Sequence, residues 1–194
     1  RTEPVIERLA TGVGDVPVCI RQAGEDNLLV EFGPLELDLG AAGAAPEPTE
    51  YQLRYRAALA GLLAADMAIY TMDQRGHGAS IALNGRTAGD FGAGGFAAVV
   101  EDLAALAQYA GGENPDAPLI VLGHSMGSFI TQAFLLDHSA LIDAAILSGT
   151  TAVDVLAMAM MPEPDPIAAF NRMFAPNRTS GDWLSRDPAQ VDTY

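Results

Sequence analysis

The strongest chemical signal in the sequence is Gly123-His124-Ser125-Met126-Gly127, a G-x-S-x-G pattern. The apolar run 119–122 before it predicts a buried strand, and the apolar pattern after it predicts a helix. A serine on a sharp turn between strand and helix is typical of a nucleophile. We therefore predict that Ser125 attacks carbonyl carbon and that the N–H of Met126 stabilises the oxyanion. The alternative is a chance match in a chain with 20 glycines, which the flanking patterns disfavour.

Alternating strand and helix patterns must position this serine. The alternation implies a parallel sheet with right-handed crossovers, whose functional loops lie beyond the carboxyl ends of the strands. Asp73, Ser125 and Ser148 all fall at such ends. The apolar patterns predict strands at 5–10, 16–21, 28–32, 67–72, 119–122 and 144–147, helices at 51–65, 96–110 and 126–138, a turn at 11–15 and a long glycine-rich loop at 73–95.

Composition limits the classes of function. The 194 residues are 49% hydrophobic and 18% charged, which is typical of a globular chain with a sizeable core. The net charge of −15 argues against binding to nucleic acid or to anionic lipid, although an acidic surface is more commonly a solubility device. No window approaches the roughly 18 apolar residues that span a bilayer, so we expect a cytoplasmic protein without integral membrane association. The single Cys19 and the absence of a G-x-G-x-x-G pattern after a strand predict no metal and no cofactor.

Two motifs together resemble the α/β-hydrolase superfamily, and within it the monoacylglycerol lipase and lysophospholipase-like serine hydrolases. One is the serine motif, continued by Ser128, and the other is Asp73-Gln74-Arg75-Gly76-His77-Gly78-Ala79-Ser80, similar to a D-x-R-G-H-G-x-S loop of that group. The resemblance runs from about residue 16 to the end of the chain. It implies an α/β-hydrolase fold with a mostly parallel central sheet flanked by helices. Residues 1–150 would form the N-terminal part of the core, and residues 151–194 part of a helical lid.

The resemblance also implies roles for individual residues. Ser125 would be the nucleophile and the N–H of Met126 one oxyanion donor. His77 and His124 would be structural rather than catalytic. The residues that would hold the structure around the site are Asp73, Arg75, His77, Ser80 and His124.

The second oxyanion donor has two candidate positions. Counting back from Arg54-Tyr55, which resembles the family's R-Y, puts Pro46-Glu47 where the family has His-Gly, followed by Pro48, which has no N–H to donate. A shifted register puts Leu39-Gly40 there instead and makes the N–H of Ala41 the donor. One sequence leaves both registers open.

The chain departs from the family in its catalytic base. In this fold the order along the chain is serine, then aspartate or glutamate, then histidine, yet no histidine follows His138. We expect a fragment, with a naturally short protein as the alternative, and little or no turnover by these 194 residues.

Two hypotheses for function follow. The first is a hydrolase whose full-length form cleaves the carboxylic ester of a small lipid-like substrate, an acyl glycerol or a lysophospholipid. The second is a non-catalytic binding protein, or a defunct hydrolase, on the same scaffold. An open half-sheet would expose an edge strand and apolar surface, which makes self-association a further expectation.

Overall fold

A six-stranded sheet lies in the first of two compact units of the chain. The computed structural model describes residues 5–11, 14–21, 27–32, 62, 67–85, 87, 89–160, 171–179, 181–183 and 185–192. Its strands are β1 (Val5–Thr11), β2 (Gly14–Arg21), β3 (Asn27–Phe32), β4 (Met67–Met72), β5 (Leu119–His124) and β6 (Ala144–Ser148). They lie in the order β1-β2-β4-β3-β5-β6.

The sheet is mostly parallel, which confirms the predicted α/β class. β3 pairs in parallel with both β4 and β5, and β5 pairs in parallel with β6. Of the pairs between described strands, β1–β2 and β2–β4 are antiparallel. Phe32 of β3 is in register with Met72 on one side and with Gly123 on the other. The carboxyl ends of β4 and β5 therefore meet at the same edge of the sheet, two strand spacings apart.

Among the described residues up to 150, three α-helices accompany these strands: α1 (Ala79–Asn84), α2 (Gly95–Glu113) and α3 (Met126–His138). Successive strand residues point to opposite faces of the sheet, so alternate residues of β4 and β5 belong to two different clusters. The larger cluster includes Tyr70 and Val121 from the sheet, Leu103 from α2 and Phe134 from α3. On the opposite face, Ile69 packs with Met67, Ile120, Leu122 and Leu62.

Two local predictions were wrong. The segment 73–95, predicted as a loop, contains α1, because the run 79–84 has no glycine or proline, and Gly85 then ends the helix at φ 59. The predicted turn 11–15 is shorter, since Thr11 and Gly14 are already paired across the β1–β2 hairpin. The helix predicted at 51–65 lies outside the described residues, except for Leu62.

The described residues from Thr151 onward belong to a second compact unit. It contains α4 (Val153–Met160), a 3₁₀ turn (Arg172–Phe174) and α5 (Pro188–Val191). Buried Asn171 organises it, because its amide donates to the Thr179 carbonyl oxygen at 2.7 Å and accepts from the Trp183 N–H at 3.1 Å. The Thr179 hydroxyl and N–H hold the pKa of Asp182 below its usual range.

Across the described ranges, no helix is both long enough and apolar enough to span a bilayer.

Candidate active site

The turn between β5 and α3 places Ser125 in a strained backbone conformation. Its φ is 52° and its ψ −121°, and no other non-glycine residue that the structure describes has a positive φ. Such conformations persist only where the surrounding structure determines them, and they concentrate at functional sites. Ser125 is half-buried, and it lies directly beyond the carboxyl end of β5.

Gly123 allows strand and helix to approach closely in this turn. A Cβ at Gly123 would lie 2.6 Å from the carbonyl oxygen of Gly127 and 2.5 Å from Oγ1 of Thr131. The Thr131 hydroxyl in turn donates to the Gly127 carbonyl oxygen at 2.8 Å, so the two groups that this Cβ would meet are bonded to each other within α3. The turn therefore requires glycine at 123 for steric reasons, as the sequence suggested.

The Ser125 hydroxyl lies at the N-terminus of α3. It does not cap α3, and none of the described side chains hydrogen-bonds to it. Met126 is the first residue of α3, and the first N–H groups of a helix have no intrahelical acceptor. These N–H groups and the helix dipole favour negative charge at this position, which is what an oxyanion beside Ser125 requires.

Neither histidine near the motif is paired with the Ser125 hydroxyl. Nδ1 of His124 lies 3.1 Å from Oγ of Ser148, at the end of neighbouring β6. The ring of His77 is buried, and its Nδ1 lies 3.2 Å from the carbonyl oxygen of Arg75. His138 ends α3, where its Nε2 lies 3.1 Å from Oε1 of Glu101. Each described imidazole thus has a partner other than the serine.

The loop after β4 is a compact polar cluster. Asp73, Arg75, His77 and Ser80 are all buried. The Ser80 hydroxyl donates to the carbonyl oxygen of Asp73 at 2.6 Å. A Cβ at Gly78, where φ is 50°, would lie 2.5 Å from Cγ of Asp73, so glycine is required there on two grounds. The structure therefore brings these four predicted residues together after the carboxyl end of β4, three in the loop and Ser80 in the first turn of α1.

Asp102 is an important residue that sequence reasoning missed. Its carboxylate accepts two hydrogen bonds from Arg75, both at 2.6 Å: Nε donates to Oδ2 and Nη2 donates to Oδ1. Its side chain is 0% exposed and that of Arg75 5%. The signal was present, because Asp102 lies within the apolar stripe of α2, beside Val99 and Leu103, and a buried charge needs a partner.

The remaining site predictions fall outside the described residues. These are Ala41, the alternative donor register at Pro46-Glu47, and Pro48. Within the described part of the chain, no group of three or more potential metal ligands occurs.

The sequence also matches a known protein family and a curated relative. The family model Hydrolase_4, described as serine aminopeptidase S33, matches residues 48–194. The chain is also 30% identical, over 149 residues, to the monoacylglycerol lipase of Mycolicibacterium smegmatis, a match that covers 75% of this chain and 50% of that protein. The chain thus spans about half the length of this curated relative.

Two solved structures share the fold. A thermostable carboxyl esterase from Bacillus coagulans, in complex with glycerol, superposes with a TM-score of 0.72 at 22% identity, covering 98% of this chain and 63% of that one. A lipase in an open form gives a TM-score of 0.61 at 23% identity, covering 98% and 64%. Both neighbours are similar in fold, and the α/β-hydrolase resemblance read from the two motifs is confirmed.

Proposed function

Since this chain belongs to the Hydrolase_4 family of α/β-hydrolases, we propose that Ser125 is the nucleophile of a carboxylic ester hydrolase. The observation that carries the proposal is the backbone of Ser125, a serine held at φ 52° between a buried strand and the N-terminus of a helix. This geometry supports the proposal, because a nucleophile elbow places its serine on a strained turn between strand and helix. Such a backbone conformation costs about 1–3 kcal/mol at a non-glycine residue. Packing gives no reason for this cost at a serine, whereas the need to present a nucleophile to substrate does.

The proposed reaction is acyl transfer in two steps. Oγ of Ser125 attacks the ester carbonyl carbon, its proton passes to a base, and the alcohol leaves to give an acyl-enzyme. Water then attacks the acyl carbon and releases the acid while the serine regains its proton. The N–H of Met126 donates to the oxyanion in both steps, and one such donor is worth about 10²–10³ in rate.

The base in this scheme is proposed to lie outside these 194 residues, together with its acidic partner. His77 and His124 bond instead to the Arg75 carbonyl oxygen and to the Ser148 hydroxyl. Loss of the base reduces catalysis by about 10⁴ or more. We therefore expect slow modification of Ser125 by a reactive probe, and ester turnover near background, for the 194-residue chain.

The proposed substrate class is a lipid-like ester, an acyl glycerol or a lysophospholipid. Similarity to a monoacylglycerol lipase favours the acyl glycerol over the lysophospholipid. The family description as an aminopeptidase makes an amide the competing substrate class.

A fluorophosphonate probe with mass-spectrometric mapping tests the nucleophile. We expect labelling at Ser125, its loss in Ser125→Ala, and unchanged labelling in Ser139→Ala, which removes a serine in the exposed turn after α3. Monoacylglycerol should slow labelling more than an aminoacyl nitroanilide does. Labelling of Ser125→Ala at the wild-type rate would contradict the assignment of the nucleophile.

A non-catalytic binding protein on the same scaffold is the second candidate. It is favoured by the observation that the His124 and His77 rings are bonded away from Ser125. The same experiment separates the two candidates. Absence of labelling, together with saturable binding of monoacylglycerol, would support the binding protein.

A further inference from the structure

The backbone of Ser125 is held by hydrogen bonds on both sides. Its N–H donates to the carbonyl oxygen of Ser148 at 3.0 Å, which extends the β5–β6 pairing by one residue. Its carbonyl oxygen accepts from the N–H of Ser128 at 2.9 Å and from the Ser128 hydroxyl at 2.6 Å. Among the described residues, Ser128 is thus the one whose side chain bonds directly to the backbone of the strained serine.

The hydroxyl of Ser128 is bonded to the Ser125 carbonyl oxygen in a buried setting. Ser128 is 0% exposed, so water cannot replace the Ser125 carbonyl oxygen as its acceptor. Rotation of the Ser125 peptide toward a relaxed conformation would break this bond and leave a buried donor unpaired. The side chain of Ser128 therefore opposes the motion that would release the strain at Ser125.

Hydroxyls of serine and threonine often bond to a carbonyl one turn earlier in a helix, and Thr131 does so to Gly127. What distinguishes Ser128 is the acceptor. The Thr131 bond joins two residues within α3, whereas the Ser128 bond reaches the residue that precedes the helix and has the positive φ.

We propose that Ser128 is a positioning residue, whose hydroxyl fixes the Ser125 peptide so that the nucleophile projects from the turn. The proposal deepens the proposed function and rests on it for its catalytic meaning. Ser128 does not contact the reacting atoms in this role, and it acts through the backbone of Ser125.

Hydrogen–deuterium exchange of the 194-residue chain tests this proposal without any need for activity. The measured quantity is the exchange rate of the peptide that spans residues 122–130. Ser128→Ala removes the donor, and Ser128→Cys replaces it by a weak donor in a slightly larger side chain, so that no space is left empty. Tyr70→Phe is the matched control, since it removes another buried hydroxyl, bonded to Asn114 at 3.0 Å, two strands away from β5.

We expect exchange in this peptide to rise about tenfold in Ser128→Ala and Ser128→Cys, which corresponds to one buried hydrogen bond, and to stay unchanged in Tyr70→Phe. Unchanged exchange in both Ser128 variants would overturn the proposal. Wild-type exchange in Ser128→Cys alone would also overturn it, because packing rather than the hydrogen bond would then hold the turn. If Ser128→Ala does not fold, Ser128→Cys decides the question.

The fluorophosphonate rate adds the readout that a merely structural role would not change. Where the wild-type chain is labelled, we expect about tenfold slower labelling of both folded Ser128 variants and an unchanged rate in Tyr70→Phe. Equal labelling rates would overturn the positioning role. A wild-type chain that is not labelled would count against the proposed function, while the exchange comparison would still decide whether Ser128 holds the turn.

Discussion

Removing the carboxylate of Asp102 should destabilise the protein more than any other single change of charge among the described residues. Two hydrogen bonds of 2.6 Å join it to Arg75, and neither side chain has appreciable access to water. In Asp102→Ala the guanidinium would remain buried without its counter-ion. Breaking a buried ion pair in this way costs about 3–5 kcal/mol.

That loss is large compared with the whole stability of a domain, which is about 5–15 kcal/mol. For a chain of this size it corresponds to a fall in melting temperature of roughly 6–20 °C. Replacing both partners by apolar residues, in Arg75→Met/Asp102→Leu, leaves no charge buried. We therefore expect the double variant to be more stable than Asp102→Ala, by about 2 kcal/mol or more.

Urea denaturation followed by circular dichroism measures these differences. Glu101→Gln is the matched control, because Glu101 is the preceding residue of α2 and its 3.1 Å pair with His138 is exposed to solvent. We expect this control to change the free energy of unfolding by less than about 1 kcal/mol. An Asp102→Ala variant as stable as Glu101→Gln would refute the reasoning, since the buried pair would then be worth no more than an exposed one.

Three further predictions concern single residues. Gly123→Ala should lower the free energy of unfolding by several kcal/mol, because its Cβ would meet the backbone of Gly127. Gly112→Ala is the control: no atom lies within 4 Å of its Cβ, so it should raise the free energy of unfolding by up to about 1 kcal/mol. Denaturant melts measure both changes. Ser125→Gly should be more stable than Ser125→Ala by about 1 kcal/mol, since only glycine relieves the strain; equal melts would show that no strain is stored. Thr179→Val should raise the pKa of Asp182 toward its usual range, which a carboxyl ¹³C titration would detect. Because the pKa of Asp182 is lower in the folded protein than in the unfolded chain, the Thr179 hydrogen bonds to its carboxylate stabilise the fold above the unfolded pKa. This stabilisation disappears as the pH falls through the folded pKa.

Hydrophobic pattern predicted most of the described elements. Strand β4 and helix α3 have the predicted bounds. A short, continuous apolar run such as 67–72 favours a buried strand, and apolar residues at helical spacing after Ser125 favour a helix. The order of strands was not predicted, and neither was helix α1. Strand order depends on contacts between residues far apart in the chain, which the apolar pattern does not show. Helix α1 has six residues, too few for a helical spacing of apolar residues to be recognised within a glycine-rich segment.

The candidate site was predicted unevenly. The motif predicted that Ser125 lies on a turn between strand and helix, because such a turn needs small residues at fixed spacing. Its role as the nucleophile stays a prediction. The roles assigned to Met126, Asp73 and Ala41 stay predictions. The position of Asp102 in the apolar stripe of α2 indicated a buried charge that needs a partner, but it did not indicate which residue the partner is, because Arg75 is 27 residues away in the sequence.

The sequence by itself predicted a serine on a turn between strand and helix, through the type and spacing of residues 123–128. It also determined the mostly parallel α/β class, through the alternation of strand-like and helix-like apolar patterns. Only the tertiary structure decided what holds Ser125 in place. The Ser128 hydroxyl on the Ser125 carbonyl, and Asp102 on Arg75, depend on burial and on angles set by packing, which excludes water from both contacts.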